Sequence, residues 1–282
     1  MKYWEILEKG KKALDNAGID SSDTDAFILF EYISVMSRAE YLLKRLEEAP
    51  KNLSTAFSDC IAKRAAGRPV QYITGHACFM GLDFFVNEHV LIPRFDTEIL
   101  AEKVLSEIPG SGTVGILDMC TGSGCLAVSL AVLGRKEGRI LNMTASDISE
   151  QAVSVAEKNA RANKAPIRFV SGDLFENIEG TFDIIVSNPP YIRTSDIERL
   201  DREVKNHEPR MALDGDADGL LFYRRITEGS AEHINNKGLL FFEIGYDQGK
   251  DVECIMKNAG YKDIRIEKDL AGLDRVIWGR YC

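Results

Sequence analysis

The chain has 282 residues, more than one ordinary hydrophobic core organises, and 45% of them are apolar, enough to bury a sizeable interior. No apolar run reaches membrane-spanning length, and a net charge of −9 argues against a naked nucleic acid as main partner, because neutralising phosphates needs clustered Lys and Arg. The acidity is lopsided: residues 1–75 carry 11 Lys and Arg against 11 Asp and Glu, so the whole excess lies beyond them.

The opening Met1-Lys2-Tyr3-Trp4-Glu5-Ile6 mixes an acid with its bases and begins a helix, which fits neither a signal peptide nor an organellar transit sequence. Tyr3, Trp4, Leu7 and Leu14 fall near one face. Ala26, Phe27, Leu29, Phe30 and Ile33 form a second apolar run, and Tyr41, Leu42, Leu43 and Leu46 a third. Ser54 to Ala66 predicts a last helix, stopped by Gly67-Arg68-Pro69. Residues 1–75 therefore read as a small helical bundle, either a module that docks or orients a partner or a packing lid without specific contacts. Cys78 to Val86, broken at Met80-Gly81, predicts a β-hairpin within a linker over 76–95.

Residues 96–282 alternate strand and helix signals, the mark of an α/β, Rossmann-like sheet. Val114 to Cys120 reads as a buried strand, followed by Thr121-Gly122-Ser123-Gly124 and an apolar helix from Cys125. Glycines at a strand-to-helix turn let a ligand approach the backbone, and the helix start offers free N–H groups. A second strand, Ile140 to Ser146, ends in Asp147, 23 residues past Gly124, a spacing at which a carboxylate can accept both ribose hydroxyls. The third, Ile167 to Ser171, ends in Gly172-Asp173-Leu174-Phe175, where a carboxylate can take an adenine's exocyclic N–H. The fourth, Phe182 to Ser187, runs into Asn188-Pro189-Pro190-Tyr191, so four successive strand ends each present a polar group on the edge where open α/β sheets bind ligands.

That tetrapeptide suits a planar nitrogen whose lone pair is delocalised. The Asn188 side-chain oxygen and the Pro189 carbonyl can accept its two N–H protons, two prolines remove competing backbone donors, and Tyr191 can stack on the flat group. For the glycine turn, a dinucleotide lacks its third glycine, since Gly122-Ser123-Gly124 is followed by Cys125-Leu126-Ala127, and no Gly-Lys-Ser or Gly-Lys-Thr of a P-loop occurs. S-adenosylmethionine fits better. Its sulfonium is already an activated electrophile, so alignment matters more than acid-base machinery.

A long charged connection, Ile192 to Ala217, follows and reads as a cover for the substrate site shaped by Glu208-Pro209-Arg210. A helix from Gly219 to Asn235, a strand from Gly238 to Ile244, a helix from Gln248 to Ala259 and strands Ile264–Glu267 and Arg275–Trp278 complete a seven-stranded sheet. Cysteines at 60, 78, 120, 125, 254 and 282 form no Cys-x-x-Cys pair, which points to reduced thiols in the cytoplasm, and histidines at 76, 89, 207 and 233 lack metal spacing.

Taken together, the chain resembles the N5-glutamine methyltransferases of peptide chain release factors. The resemblance runs from Arg68-Pro69-Val70-Gln71-Tyr72-Ile73-Thr74-Gly75 through Leu91-Ile92-Pro93-Arg94, Asp118 to Gly124, Asp147-Ile148-Ser149 and Gly172 to Phe175. It continues through Asn188 to Ile192, Glu208-Pro209-Arg210 with Leu213-Asp214-Gly215, Glu243-Ile244-Gly245 with Gln248-Gly249, and Asp274-Arg275-Val276. Asn-Pro-Pro-Tyr alone would equally suit adenine or guanine methyltransferases of nucleic acids. The Arg-Pro-Val-Gln-Tyr-Ile segment and the Glu-Pro-Arg loop single out this family.

The resemblance implies a last strand inserted antiparallel, and a Cys120, Thr121, Gly122, Ser123 and Gly124 loop along the cofactor's methionine part. It also implies Asp147 on the ribose, Asp173 and Leu174 framing the adenine, and Asn188, Pro189, Pro190 and Tyr191 holding the substrate amide, with Asn188 also beside the cofactor. Two departures stand out: Cys120 where the family usually has Gly, which puts a thiol beside the cofactor loop and open to oxidation, and Arg94-Phe95-Asp96-Thr97-Glu98 where it usually has Arg-Pro-Glu-Thr-Glu. The implied activity is methyl transfer from S-adenosyl-L-methionine, leaving S-adenosyl-L-homocysteine, to the glutamine of the Gly-Gly-Gln loop in class I release factors, acting on translation termination. No metal, membrane or direct nucleic-acid contact is expected, and the chain is expected to act as a monomer. The alternatives are an adenine N6 or guanine N2 methyltransferase of nucleic acids, and a non-catalytic S-adenosylmethionine-binding module that docks on release factors.

Overall fold

In the computed structural model, which describes all 282 residues, contacts divide the chain into two units. The first is Met1–His76 with Asp201–His207, the second Ala77–Leu200 with Glu208–Cys282.

The first unit contains α1 (Tyr3–Asn16), α2 (Ser22–Ser34), α3 (Arg38–Lys44), α4 (Lys51–Ala65) and α5 (Val70–Thr74). Its core gathers Leu7, Leu14, Leu29, Phe30, Phe57 and Ile61. Gly10 lets α1 and α4 approach closely, because a Cβ there would fall 2.5 Å from the Phe57 ring. Two expectations change. The helices do not stop at Gly67, since Pro69 serves as the N-cap of α5, where its missing N–H costs nothing. Of the third apolar run only Tyr41 reaches the core, its ring edge-on to Phe27 and Phe30; Ser37 and Glu40 form a capping box that starts α3, but Leu42, Leu43 and Leu46 are exposed. Leucines at adjacent positions point to different sides of a helix, so one face cannot take them all. Arg64, 2% exposed, donates from Nε to Asp25 Oδ2 at 2.6 Å and from Nη2 to Glu203 in the short helix Arg202–His207.

The second unit opens with the hairpin β1 (His76–Phe79) and β2 (Leu82–Phe85), turned at Met80-Gly81 with both residues at positive φ. Then come α6 (Phe95–Glu107), β3 (Thr113–Met119), α7 (Cys125–Lys136), β4 (Ile140–Asp147), α8 (Glu150–Ala162), β5 (Ile167–Ser171) and β6 (Phe182–Ser187). The charged connection is not structureless, for it carries α9 (Thr194–Ile197), α10 (Arg202–His207) and a 3-10 turn at Arg210–Ala212. The chain ends with α11 (Leu221–Ser230), β7 (Ile234–Glu243), α12 (Gly249–Asn258), β8 (Tyr261–Lys268) and β9 (Asp274–Tyr281). Against expectation, α11 stops at Ser230 because a turn at Ala231–His233 intervenes before β7, and the last two strands are longer than their apolar centres.

The seven strands lie in the order β5-β4-β3-β6-β7-β9-β8, with β3 through β7 parallel and β9 antiparallel to both neighbours. Strict alternation builds it: Ile116, Ile184, Val186, Phe241 and Trp278 face α6 and α7, while Leu117, Met119, Ile185, Phe242 and Ile277 face α11 and α12. Helices therefore cover both faces, and the ligand edge is the one place where polar strand ends gather. The order reverses between β3 and β6, so a crevice opens at their C-terminal ends.

Candidate active site

An open cavity occupies that crevice. Cys120, Thr121, Gly122, Ser123, Asp147, Asp173, Leu174, Asn188 and Pro190 lie on its wall, so four strand ends meet there as the sequence reading expects. Gly124, Pro189 and Tyr191 do not.

The turn after β3 is held by carboxylates close in the chain. Asp118, 1% exposed, accepts on Oδ2 from Thr121 Oγ1 at 2.6 Å and from Ala127 N at 3.2 Å. Burial pushes its pKa up to about 7, against those two donors and with the nearby Asp147 charge adding to the rise. Asp147 accepts from Gly122 N on Oδ2 and from Ser149 N on Oδ1, both at 2.9 Å. Each oxygen keeps an acceptor site beyond that backbone bond, as a vicinal diol requires. Gly122 has φ +55° and open space where a Cβ would stand, whereas Gly124, at φ +77°, has Ala156 Cβ only 2.9 Å from that position. The first lets a ligand reach the backbone; the second lets α7 pack against α8.

Cys120 takes φ +61°, a left-handed conformation that explains why glycine is the ordinary residue at this place. The side chain is half-buried, and burial and then the Asp147 charge raise its pKa above the usual thiol range, which disfavours the thiolate. Cys125, also on the wall, is pushed up to about 12 by burial.

The turn after β6 is held from far away. Asn188 Nδ2 donates to Thr97 Oγ1 at 3.1 Å, which leaves Asn188 Oδ1 as the acceptor. Tyr191 packs against the core on the α11 and α12 side of the sheet, and its hydroxyl donates to the buried Glu243 Oε1 at 3.2 Å. The Tyr191 carbonyl accepts from Gln248 Nε2 at 2.9 Å, and the same amide donates to Gly219 O at 3.1 Å while its Oε1 accepts from Gly245 N and Tyr223 Oη. Every polar atom of Gln248 is thereby used.

Leu174, expected beside the adenine, lies on the wall with two residues given no role from sequence, Ala152 and Phe222, and together they supply apolar surface suited to a planar base; Arg225, also given no role, pairs with Asp173 at 2.9 Å. Pro209, Met211 and Ala212 line the cavity from the charged connection. Its anchor is Glu208, buried, which accepts from Ile92 N at 3.4 Å and pairs with Arg94. At the second departure, Phe95 is exposed at the first position of α6, where a proline is readily accommodated, and the shortened acid Asp96 still pairs with Arg275 at 3.3 Å. Thr97 and Glu243 lay within quoted motifs, but nothing in their spacing marked them as partners of the Asn-Pro-Pro-Tyr turn.

Comparison with known proteins adds independent findings. Residues 95–205 match the methyltransferase small domain, and residues 5–75 the PrmC N-terminal domain. The chain is 39% identical over 282 residues to the release factor glutamine methyltransferase of Clostridium acetobutylicum, covering 98% of each chain. It is 39% identical to that of Agrobacterium fabrum, covering 96% of this chain and 94% of the relative, and 35% identical to that of Bacillus anthracis, covering 99% of both. Among solved structures, a methyltransferase from Pyrococcus furiosus aligns with a TM-score of 0.51 at 17% identity, over 79% of this chain and 98% of that one. A T. thermophilus 16S rRNA methyltransferase, solved in complex with AdoMet and guanosine, aligns with a TM-score of 0.52 at 15% identity, over 73% of this chain and 50% of that one. At such identities the structural likeness speaks for the fold alone. No helix is long and apolar enough to cross a membrane.

Proposed function

The chain belongs to the release factor glutamine methyltransferases, and from that premise we propose that it methylates N5 of the glutamine in the Gly-Gly-Gln loop of class I release factors. It is an S-adenosylmethionine-dependent protein methyltransferase. The observation that carries the substrate reading is the Asn188 side chain, whose amide nitrogen is held by Thr97 so that its oxygen remains for a substrate N–H.

S-adenosylmethionine, when bound, supplies a methyl group already activated on sulfur. The residues that would hold it are the Cys120–Gly124 turn, Asp147 on the ribose, and Asp173 and Leu174 around the adenine. Asn188 Oδ1 and the Pro189 carbonyl accept the two N–H groups of the glutamine amide, so that its lone pair is aimed rather than free to rotate. Tyr191 takes a supporting part: through its hydroxyl and carbonyl it fixes the end of the turn. The helical unit docks the protein substrate, and the chain works as a cytoplasmic monomer without metal or direct nucleic-acid contact.

The test is transfer of labelled methyl from S-adenosylmethionine to purified release factor, with a Gln→Ala form of its Gly-Gly-Gln loop and free RNA as parallel substrates. Label on the unaltered factor alone is expected. Label on RNA would overturn the substrate assignment.

A further inference from the structure

We propose that Gln248, buried at the N-cap of α12 and off the cavity wall, is a positioning residue: its amide sets the spacing between the Asn-Pro-Pro-Tyr turn and the stretch of chain that leads into α11, and through that spacing the rate of methyl transfer. The inference rests on the glutamine-methylating reading above and adds to it a residue that does not touch the reactants.

Backbone groups clamp both ends of this amide. Nε2 donates to the carbonyl of Tyr191, the last residue of the turn, at 2.9 Å and to the carbonyl of Gly219, just before α11, at 3.1 Å. Oε1 accepts from Gly245 N at 2.8 Å, and the Tyr223 hydroxyl, 3.2 Å away, shares its proton between Oε1 and the Glu243 carbonyl. Two carbonyls can only accept and a backbone N–H can only donate, so the surroundings dictate which way round the amide lies. The root of the side chain is fixed as well, because Gln248 O accepts from Asp251 N and Val252 N at the start of α12. A side chain held at its root and at both ends of its tip acts as a spacer.

What it spaces are two stretches of cavity wall. Asn188 and Pro190 belong to one; Met211 and Ala212, before Gly219, and Phe222, after it, belong to the other. Backbone bonds lay the two side by side: Ile192 N donates to Leu213 O at 2.9 Å, Gly215 N to Ile192 O at 2.8 Å and Thr194 N to Asp216 O at 3.0 Å. Their approach leaves no room for a side chain. A Cβ on Gly219, at φ +74°, would fall 2.5 Å from Tyr191 O and 2.7 Å from Gln248 Nε2, and one on Gly215 would fall 2.8 Å from Tyr191 Cα. Those ladder bonds set the register of the pair, while Gln248 ties both members to the segment that follows β7, the strand beside β6 from which the turn springs. A shift of about 1 Å in the acceptors of the turn is enough to slow an aligned displacement roughly 100-fold.

Gln248→Met removes all four bonds at almost unchanged length and volume. We expect kcat on release factor to fall roughly 100-fold, with KM for release factor within about 3-fold and Kd for S-adenosylmethionine within about 2-fold of the parent. Gln248→Asn should show the same split: asparagine is a favourable N-cap, so the helix start is kept, but an amide one methylene shorter cannot reach the carbonyls and Gly245 N together. Tyr223→Phe removes only the shared hydroxyl and leaves both carbonyl clamps, so its kcat should stay within about 5-fold of the parent. Parental kcat in Gln248→Met overturns the inference, as does a matching loss of cofactor affinity, the mark of a merely structural role, or an equal fall of kcat in Tyr223→Phe. Should Gln248→Met fail to fold by circular dichroism, Gln248→Asn decides on the same criteria. Unaltered enzyme that labels no release factor would sink the substrate reading and this inference with it, whereas an active parent with indifferent Gln248 variants would sink the inference alone.

Discussion

The two ends of the cavity are built on opposite plans. Around the glycine turn, the braces come from elements close by in the chain: Asp118 holds Thr121 three residues on, Asp147 at the tip of the adjacent β4 holds Gly122, and Asn159 of α8 donates to Ser123 O at 2.8 Å. Around Asn-Pro-Pro-Tyr the braces come from afar, Thr97 lying 91 residues from Asn188, and Glu243 and Gln248 lying 52 and 57 from Tyr191. The glycine turn takes shape within β3, α7, β4 and α8, which are consecutive in the chain. The substrate end needs α6, β6 and β7 assembled together, so it is the end that distant substitutions can disturb.

The sharpest test of this contrast is Asn188→Ala. Turnover should fall roughly 1000-fold, about 4 kcal/mol, with cofactor affinity nearly unchanged in a binding titration; equal damage to both would show that the ends are not separable. Gly124→Ala strikes the other end. A Cβ at φ +77° meeting Ala156 at 2.9 Å should destabilise the fold by roughly 3 kcal/mol in denaturant unfolding and weaken cofactor binding in proportion.

A third test uses pH. Because Asp118 titrates higher in the folded chain, at about 7 against an ordinary 3.8, the native state binds the proton more tightly than the unfolded one. Its contribution is complete at low pH and is lost as pH rises between those values. Unfolding measured from pH 4 to 8 should show the parent losing roughly 4 kcal/mol relative to Asp118→Asn; parallel curves would mean that the Thr121 and Ala127 donors offset burial fully. The smallest effect is expected at Cys120, where glycine relieves the left-handed backbone but loosens the unfolded chain, a net gain below about 1 kcal/mol. A loss would show instead that the thiol's contact with Ser187 matters more than strain.

Legibility in the sequence follows the same divide. Local braces leave local marks: the glycines of the turn, the acid ending β4 and the apolar runs of β3 and β6 were all readable, and so was the seven-stranded sheet. Thr97, Glu243 and Gln248 were visible only as letters within motifs, because what each touches is decided by which strands become neighbours. Tyr191 was read as a stacking ring for the same reason, since its hydroxyl's need for a partner is met by a residue on another strand. In the helical unit, Leu42, Leu43 and Leu46 looked like core because hydrophobicity is written in the sequence, whereas the face a short helix turns inward is not.

Arg64 sets a condition on the order in which the chain matures. Its guanidinium is buried between Asp25, which precedes it, and Glu203, which lies 139 residues after it. As the chain leaves the ribosome, the first helices can pack while Arg64 holds one carboxylate and lacks the other, a partly compensated buried charge. The helical unit is thus finished only after most of the catalytic unit has been made, and a fragment cut after residue 76 would carry that unfinished charge permanently.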